Sequence, residues 1–167
     1  MPFLFKGNYI DGRFRKCRGG EERLSEDPGD LDHPVGTFSF SEAEVDQAVE
    51  AAHRAFRSWS NTPHTARGQA VARFGQAIRR RKNELVLLIS REMGKPIQDA
   101  RQEVERAVDR VSLAEREAAK VFKESFFAIK PGVQGGILYK SRGVLGILGP
   151  FNFPAHLPHG HIVPALI

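Results

Sequence analysis

Residues 41–122 carry a helical apolar period almost without interruption. A stretch of that length and pattern is incompatible with an all-β fold, and its apolar stripes need a surface to cover them. Ser41-Glu-Ala-Glu44 predicts the first helix start, with the Ser41 hydroxyl accepting from a free backbone N–H and Glu44 reaching back to the cap. Val45, Ala48, Val49, Ala52, Phe56 and Trp59 then recur on one helical face. Thr62-Pro63 opens a second helix, with proline tolerated at its first position and Val71, Phe74 and Ile78 as the buried stripe. Asn83 predicts the cap of a third helix over residues 84–93, stopped by Gly94. Lys95-Pro96 opens a fourth, running to about Phe122 with the stripe Ile97, Ala100, Val104, Ala107, Val108, Val111, Ala114, Ala118 and Val121.

β-type signals flank this helical block. Phe3-Leu-Phe-Lys-Gly-Asn-Tyr-Ile-Asp-Gly12 predicts a hairpin turning at Gly7-Asn8, within an N-terminal hairpin region over residues 1–20. Asp27-Pro-Gly-Asp-Leu-Asp-His-Pro34 predicts a loop, and residues 35–40 a short strand. After Pro131-Gly132, residues 135–143 predict one strand and Val144-Leu-Gly-Ile-Leu148 a second, buried one. Gly149-Pro-Phe-Asn-Phe-Pro154 predicts a tight turn bracketed by prolines. Residues 161–167 are apolar and end without a stop signal, which predicts that the chain is a piece of a longer one.

Composition sorts the possible functions. Hydrophobic residues make up 41% and charged residues 27%, the balance of a folded domain rather than a disordered chain. The formal net charge of +5 raises the question of a nucleic-acid partner. The densest basic run is Arg79-Arg-Arg-Lys82, at a predicted helix end where cations meet the negative end of the helix dipole. No aromatic-rich basic strand or zinc spacing accompanies it, so no nucleic-acid partner is expected; a solvated helix end is preferred over a phosphate-binding patch. The single cysteine, Cys17, cannot form an internal disulfide. Lys16 and Arg18 beside it would lower its pKa, yet a surface or edge thiol is the simpler reading. Residues 1–10 read neither as a signal peptide nor as a membrane span, which makes a cytoplasmic protein the default and a membrane partner unexpected. His156, His159 and His161 crowd together without a completing cysteine or carboxylate, so no metal is expected.

The stretch Gly143-Val-Leu-Gly-Ile-Leu-Gly-Pro-Phe-Asn-Phe-Pro154 resembles a hallmark of the aldehyde dehydrogenase superfamily, in which a strand ends in a Pro-aromatic-Asn-Phe-Pro turn. Phe5-Lys-Gly-Asn-Tyr-Ile-Asp-Gly12 resembles its opening strand-turn-strand, residues 48–59 its first helix, and Arg91-Glu-Met-Gly-Lys-Pro96 its Glu-x-Gly-Lys-Pro element. The tail from Ala155 to Leu166 is similar to the branch that oxidises N-succinylglutamate 5-semialdehyde in arginine degradation. Ala155 stands where that branch usually has Gly, and His159 where it usually has Asn.

The resemblance implies an α/β fold: N-terminal helices and the opening strand, residues 144–148, of a doubly wound NAD-binding domain, plus part of a β oligomerisation element at residues 135–143. It implies an NAD-dependent oxidation of a small-molecule aldehyde by a homo-oligomer, through attack of a cysteine thiolate on the carbonyl. Asn152 would then be the amide that stabilises the oxyanion, a contribution of about 3–4 kcal/mol per donor; in an isolated Pro-x-Asn-x-Pro, a turn-making role alone would be the favoured reading. Leu148, Gly149, Pro150 and Phe151 would line the nicotinamide end of the NAD site. Phe153, His156, Leu157 and Gly160 would line the substrate tunnel. The catalytic cysteine and glutamate segments of the family have no counterpart here, so the chain alone is expected to be inactive. The alternative is a non-catalytic oligomerisation or interaction module derived from the same family.

Overall fold

The computed structural model describes residues 5–17, 19–121 and 125–167. Among these described residues, six short strands and five helices follow one another: β1 Asn8–Ile10, β2 Arg13–Arg15, β3 Glu21–Ser25, β4 Gly36–Phe40, α1 Ala43–Trp59, α2 His64–Arg80, α3 Lys82–Met93, α4 Ile97–Val121, β5 Ser125–Lys130, β6 Val133–Ile137 and α5 His156–Leu166. The strands form three separate antiparallel ribbons, β1 with β2, β3 with β4 and β5 with β6.

The first ribbon turns at Asp11-Gly12, not at Gly7-Asn8. Asp11 has φ 56° and Gly12 φ 77°, the two left-handed residues that a tight two-residue hairpin of the correct twist requires. Tyr9 pairs with Phe14 across the ribbon, rings 5.0 Å apart and edge to face. Phe3 and Leu4 of the expected hairpin, Arg18 and Phe122 lie outside the described residues. At the third ribbon Pro131-Gly132 is the hairpin turn itself. The strand expected over 135–143 therefore runs only from Val133 to Ile137, and it pairs with β5, for which the sequence pattern gives no expectation.

Two expected helix caps do not form. No side chain caps α1: Ser41 offers only its backbone carbonyl to the Glu44 N–H, at 3.1 Å. Glu44 turns instead to the hairpin, accepting from Asn8 Nδ2 at 2.7 Å. Helix α3 begins at Lys82, before Asn83, with Arg81 bonded to Glu84 at 2.8 Å. Pro63 precedes the first residue of α2 rather than occupying it. Gly94 does end α3 in a left-handed turn, φ 63°, as its position implies.

The core gathers on α4. Ile78, Val86, Ile89, Ala100, Val104 and Val108 form one buried cluster. Val71, Val111, Ala118, Val163 and Ile167 form the second, joining α2, α4 and α5. Each fully buried Val or Ile side chain contributes about 1.5–3 kcal/mol of hydrophobic stabilisation. The α1 stripe is different: Ala51 is its only buried residue, and Val45 and Val49 are 61% and 42% exposed. Periodicity there forms the helix but finds only partial cover among the described residues, at Ala51, Ala52, Phe56 and Trp59. Residues 144–148 form no strand, and Leu148 is 99% exposed. A parallel strand exists only through its ladder partners, and none stands beside this segment among the described residues.

The ribbon β3–β4 is tied to the helices by Arg91, which donates to Asp27 Oδ2 at 2.7 Å and to the His33 carbonyl at 2.6 Å. The Arg91–Asp27 hydrogen bond is the main reason the Asp27 carboxyl is held below its ordinary pKa. Directly after it, Gly94 swings the chain into α4, and a Cβ placed there would lie 3.2 Å from Pro28. Replacing Gly94 with Ala should cost about 1–2 kcal/mol, the left-handed penalty for an L-residue. A lowered urea midpoint with unchanged slope would register it; an unchanged midpoint would mean that the turn is not held left-handed.

Candidate functional site

The candidate site is the proline-bracketed turn and the helix that follows it. Three features argue against a helix at residues 156–166, namely Pro158, Gly160 and Pro164. Pro158 falls in the first turn, where no ladder N–H is missed. Pro164 removes one bond close to the end. Docking onto α4 overrides the rest, since Val163 is fully buried and Ile167 nearly so.

One buried carboxylate organises the junction. Glu103 lies on the apolar face of α4 and is 2% exposed. Its Oε1 accepts from the backbone N–H groups of Ala155 at 2.9 Å and His156 at 3.3 Å. These are free donors at the positive end of α5, where a carboxylate is favoured. Its Oε2 receives Lys95 Nζ at 2.5 Å, and the same ammonium stands 4.1 Å from the centre of the Phe153 ring. A single side chain thus holds the helix start, the lysine of the Gly94-Lys-Pro96 element and, through that lysine, the ring beside Asn152.

The expected site residues fall into two groups. Phe153, His156, Leu157 and Gly160 are half-buried between the turn and α4, with the Phe153 and His156 rings 5.9 Å apart, edge to face. Leu148, Gly149, Pro150, Phe151 and Asn152 lie outward, with Phe151 84% exposed. The Phe153 N–H bonds to the Pro150 carbonyl at 3.2 Å, which closes the turn around Asn152. Gly149 is pressed against Pro158, where a Cβ would come to 2.4 Å from the proline ring. Asn152 makes no side-chain hydrogen bond among the described residues, so its amide is available at the surface.

The other titratable candidates are occupied elsewhere. His159 bonds the Ala155 carbonyl at 2.5 Å and stacks on Phe74, rings 5.4 Å apart. Burial and the Glu44 carboxylate push the Cys17 thiol up, against the lowering expected from Lys16 and Arg18. Burial and then the Arg110 and Arg106 cations hold the His156 imidazole below its ordinary value, and its Nδ1 is buried without a partner. Sequence reasoning missed Glu103, Lys95 and the arginines of α4. A signal for Glu103 was present: a carboxylate between Ala100 and Ala107 breaks an otherwise apolar stripe.

Two outcomes follow from this geometry. Glu103→Ala leaves Lys95 and two helix N–H groups without their acceptor. It should cost about 3–5 kcal/mol, whereas Glu84→Ala at the exposed Arg81 pair should cost under about 1 kcal/mol; comparable urea midpoints for the two would contradict the clamp. His156 should titrate below the ordinary imidazole pKa of about 6.5. Because the folded state disfavours its proton, this group's stabilisation is complete above that value and is lost as pH falls through it toward the folded pKa. A proton NMR titration of the imidazole reads the shift, and Arg110→Gln should move the midpoint upward.

Residues 20–167 match the model of the aldehyde dehydrogenase family. The chain is 34% identical over its whole length to N-succinylglutamate 5-semialdehyde dehydrogenase of Enterobacter sp. (strain 638), covering 32% of that protein. It is 42% identical over 126 residues, 74% of its length, to the protein of the same name from Novosphingobium aromaticivorans, covering 26% of it. The chain therefore spans about a third or less of the length of these curated relatives. Among solved structures, HpcC from Thermus thermophilus superposes with a TM-score of 0.86 at 28% identity, over 94% of this chain and 30% of that one. PnpE in complex with nicotinamide adenine dinucleotide superposes with a TM-score of 0.85 at 31% identity, over 95% of this chain and 32% of that one. The helices, ribbons and proline-bracketed turn are thus those of a known α/β architecture, and the chain belongs to the aldehyde dehydrogenase family.

Proposed function

We propose that this chain is part of an NAD-dependent enzyme that oxidises N-succinylglutamate 5-semialdehyde to N-succinylglutamate in arginine degradation, in the cytoplasm. The observation that carries the reading is the Asn152 amide, exposed on a turn that the buried Glu103 clamps from below. The shared name of the relatives supports the substrate.

In this reading a thiolate attacks the aldehyde carbon, and the carbonyl oxygen takes up negative charge. Asn152 donates its Nδ2–H to that oxygen, and the fixed turn means that no reorganisation is needed as the charge develops. Phe153, His156, Leu157 and Gly160 form the wall on which the rest of the aldehyde lies. The thiolate and the base come from beyond these 167 residues, since Cys17 sits on the hairpin side against Glu44. The residues present suit only one end of the cofactor. Leu148 and Phe151 give an exposed apolar surface for a flat nicotinamide ring beside Gly149 and Pro150, while no glycine-rich turn opening a helix is present to hold the phosphates. NAD, when bound, accepts the hydride.

A second reading, an association module without catalysis, is favoured by the β5–β6 ribbon, where Phe126, Phe127, Ile129 and Ile137 are all more than half exposed. No helix among the described residues is long and apolar enough to cross a membrane.

The purified 167-residue chain should produce no NADH from NAD and the semialdehyde. In the enzyme that carries this segment, Asn152→Ala should lower kcat by about 10²–10³-fold. Turnover that tracks the purified chain, or an Asn152→Ala enzyme with undiminished kcat, would refute this assignment of roles.

A further inference from the structure

We infer that the cleft between Arg106, Arg110 and Arg116 of α4 and His156 of α5 is an anion subsite that takes a carboxylate of the aldehyde substrate. The inference rests on the proposed dehydrogenase reading for its ligand, but not for its chemistry.

The cleft has a volume of about 500 Å³ and is completed by Asp109, Ser112 and Leu113. That is within the size range of small-ligand sites, about 300–1,000 Å³. Three guanidinium groups face one carboxylate there, and no salt bridge joins any of the three to a partner among the described residues. Five other cations, Arg81, Lys82, Arg91, Lys95 and Lys120, each hold an acid within 2.9 Å. Glu103 is the nearest buried acid, and Lys95 already neutralises it.

Arg106 and Arg110 are one helical turn apart, so their charges repel unless an anion lies between them. Guanidinium forks suit a carboxylate bidentately, which a point-charge ammonium does not. Arg110 lies along α5 at Gly160, where a Cβ would meet its Nε at 3.8 Å. His156 lines the cleft as well: its Nδ1 is buried without a hydrogen-bond partner among the described residues, and burial and then the Arg110 and Arg106 cations lower its pKa. An imidazole whose Nδ1 carries a proton can donate one hydrogen bond to a bound carboxylate.

Placement relates this cleft to the reaction. His156 touches Phe153, which is next to Asn152. A substrate whose aldehyde oxygen meets Asn152 can run past the Phe153 ring and reach the arginines with its far end. N-succinylglutamate 5-semialdehyde carries two carboxylates away from its aldehyde, so it is matched in charge where a simple alkanal is not.

The test has two parts. The 167-residue chain is titrated with succinate, and with the neutral amide succinamide, while the Arg Nε–H resonances are followed by ¹⁵N NMR. Succinate should shift Arg106 and Arg110 saturably, succinamide should not, and the shift should vanish in the R106Q/R110Q double variant but persist in R79Q. Equal shifts at Arg79 and at Arg110, or no saturable shift, would overturn the subsite. In the enzyme that carries this segment, R106Q/R110Q should lower the preference for the semialdehyde over butanal, as a ratio of kcat/KM, by about tenfold or more, with R79Q leaving it in place. An enzyme that oxidises the semialdehyde with an unchanged preference in R106Q/R110Q sinks the subsite and leaves the dehydrogenase reading standing. An enzyme inert toward the semialdehyde whose segment still binds succinate through Arg106 and Arg110 does the reverse.

Discussion

The buried Glu103 carboxylate is the contact on which the C-terminal third of this structure depends. Helix α5 contains two prolines and a glycine and has little intrinsic tendency to form. It forms because its far end buries Val163 and Ile167 and its near end finds an acceptor in α4. A carboxylate 2% exposed is costly to bury alone. Here Lys95 and two helix N–H groups satisfy it, and none of the three can be removed without leaving charge or dipole unanswered. The short element Arg91-Glu-Met-Gly-Lys-Pro96 thereby acts in three directions. Arg91 holds the β3–β4 ribbon, Gly94 redirects the chain, and Lys95 completes the Glu103 site.

Much of the helical layout was legible because it is local. The stripes of α2 and α4 are written at spacings that only a helix satisfies, and Gly94 marks a stop that few other residues tolerate. Caps and turns were read less well. Ser41-Glu-Ala-Glu44 has the letters of a capping box, but Glu44 is within reach of Asn8, a competitor that comes from thirty-six residues upstream. Asp11-Gly12 outcompetes Gly7-Asn8 because both of its residues accept positive φ in the twist sense that a hairpin needs. The α1 stripe and residues 144–148 show the converse case. Their apolar patterns are genuine, yet pattern alone states that a surface wants cover and not what covers it.

For the site, the turn around Asn152 was legible through its prolines, and its half-buried neighbours Phe153, His156, Leu157 and Gly160 are brought together on α4. The partners on the other side were not. Arg106 and Arg110 look like ordinary solvated charges on an amphipathic helix, and only the docking of α5 turns them into one wall of a cleft. Position on a helix face is visible in sequence, but which helix packs opposite is a tertiary fact.

Trp59 lies at the end of α1 and donates its Nε1–H to the Leu166 carbonyl at 3.0 Å, while Arg67 donates to the carbonyl of Ile167 at 2.6 Å. It is the chain's one tryptophan. The indole therefore reports optically on the end of α5, the helix with the weakest intrinsic propensity. Its emission follows the detachment of that helix, whereas far-ultraviolet circular dichroism is dominated by α1 to α4. The molecule carries its own probe for separating a peeling of the site from a collapse of the fold.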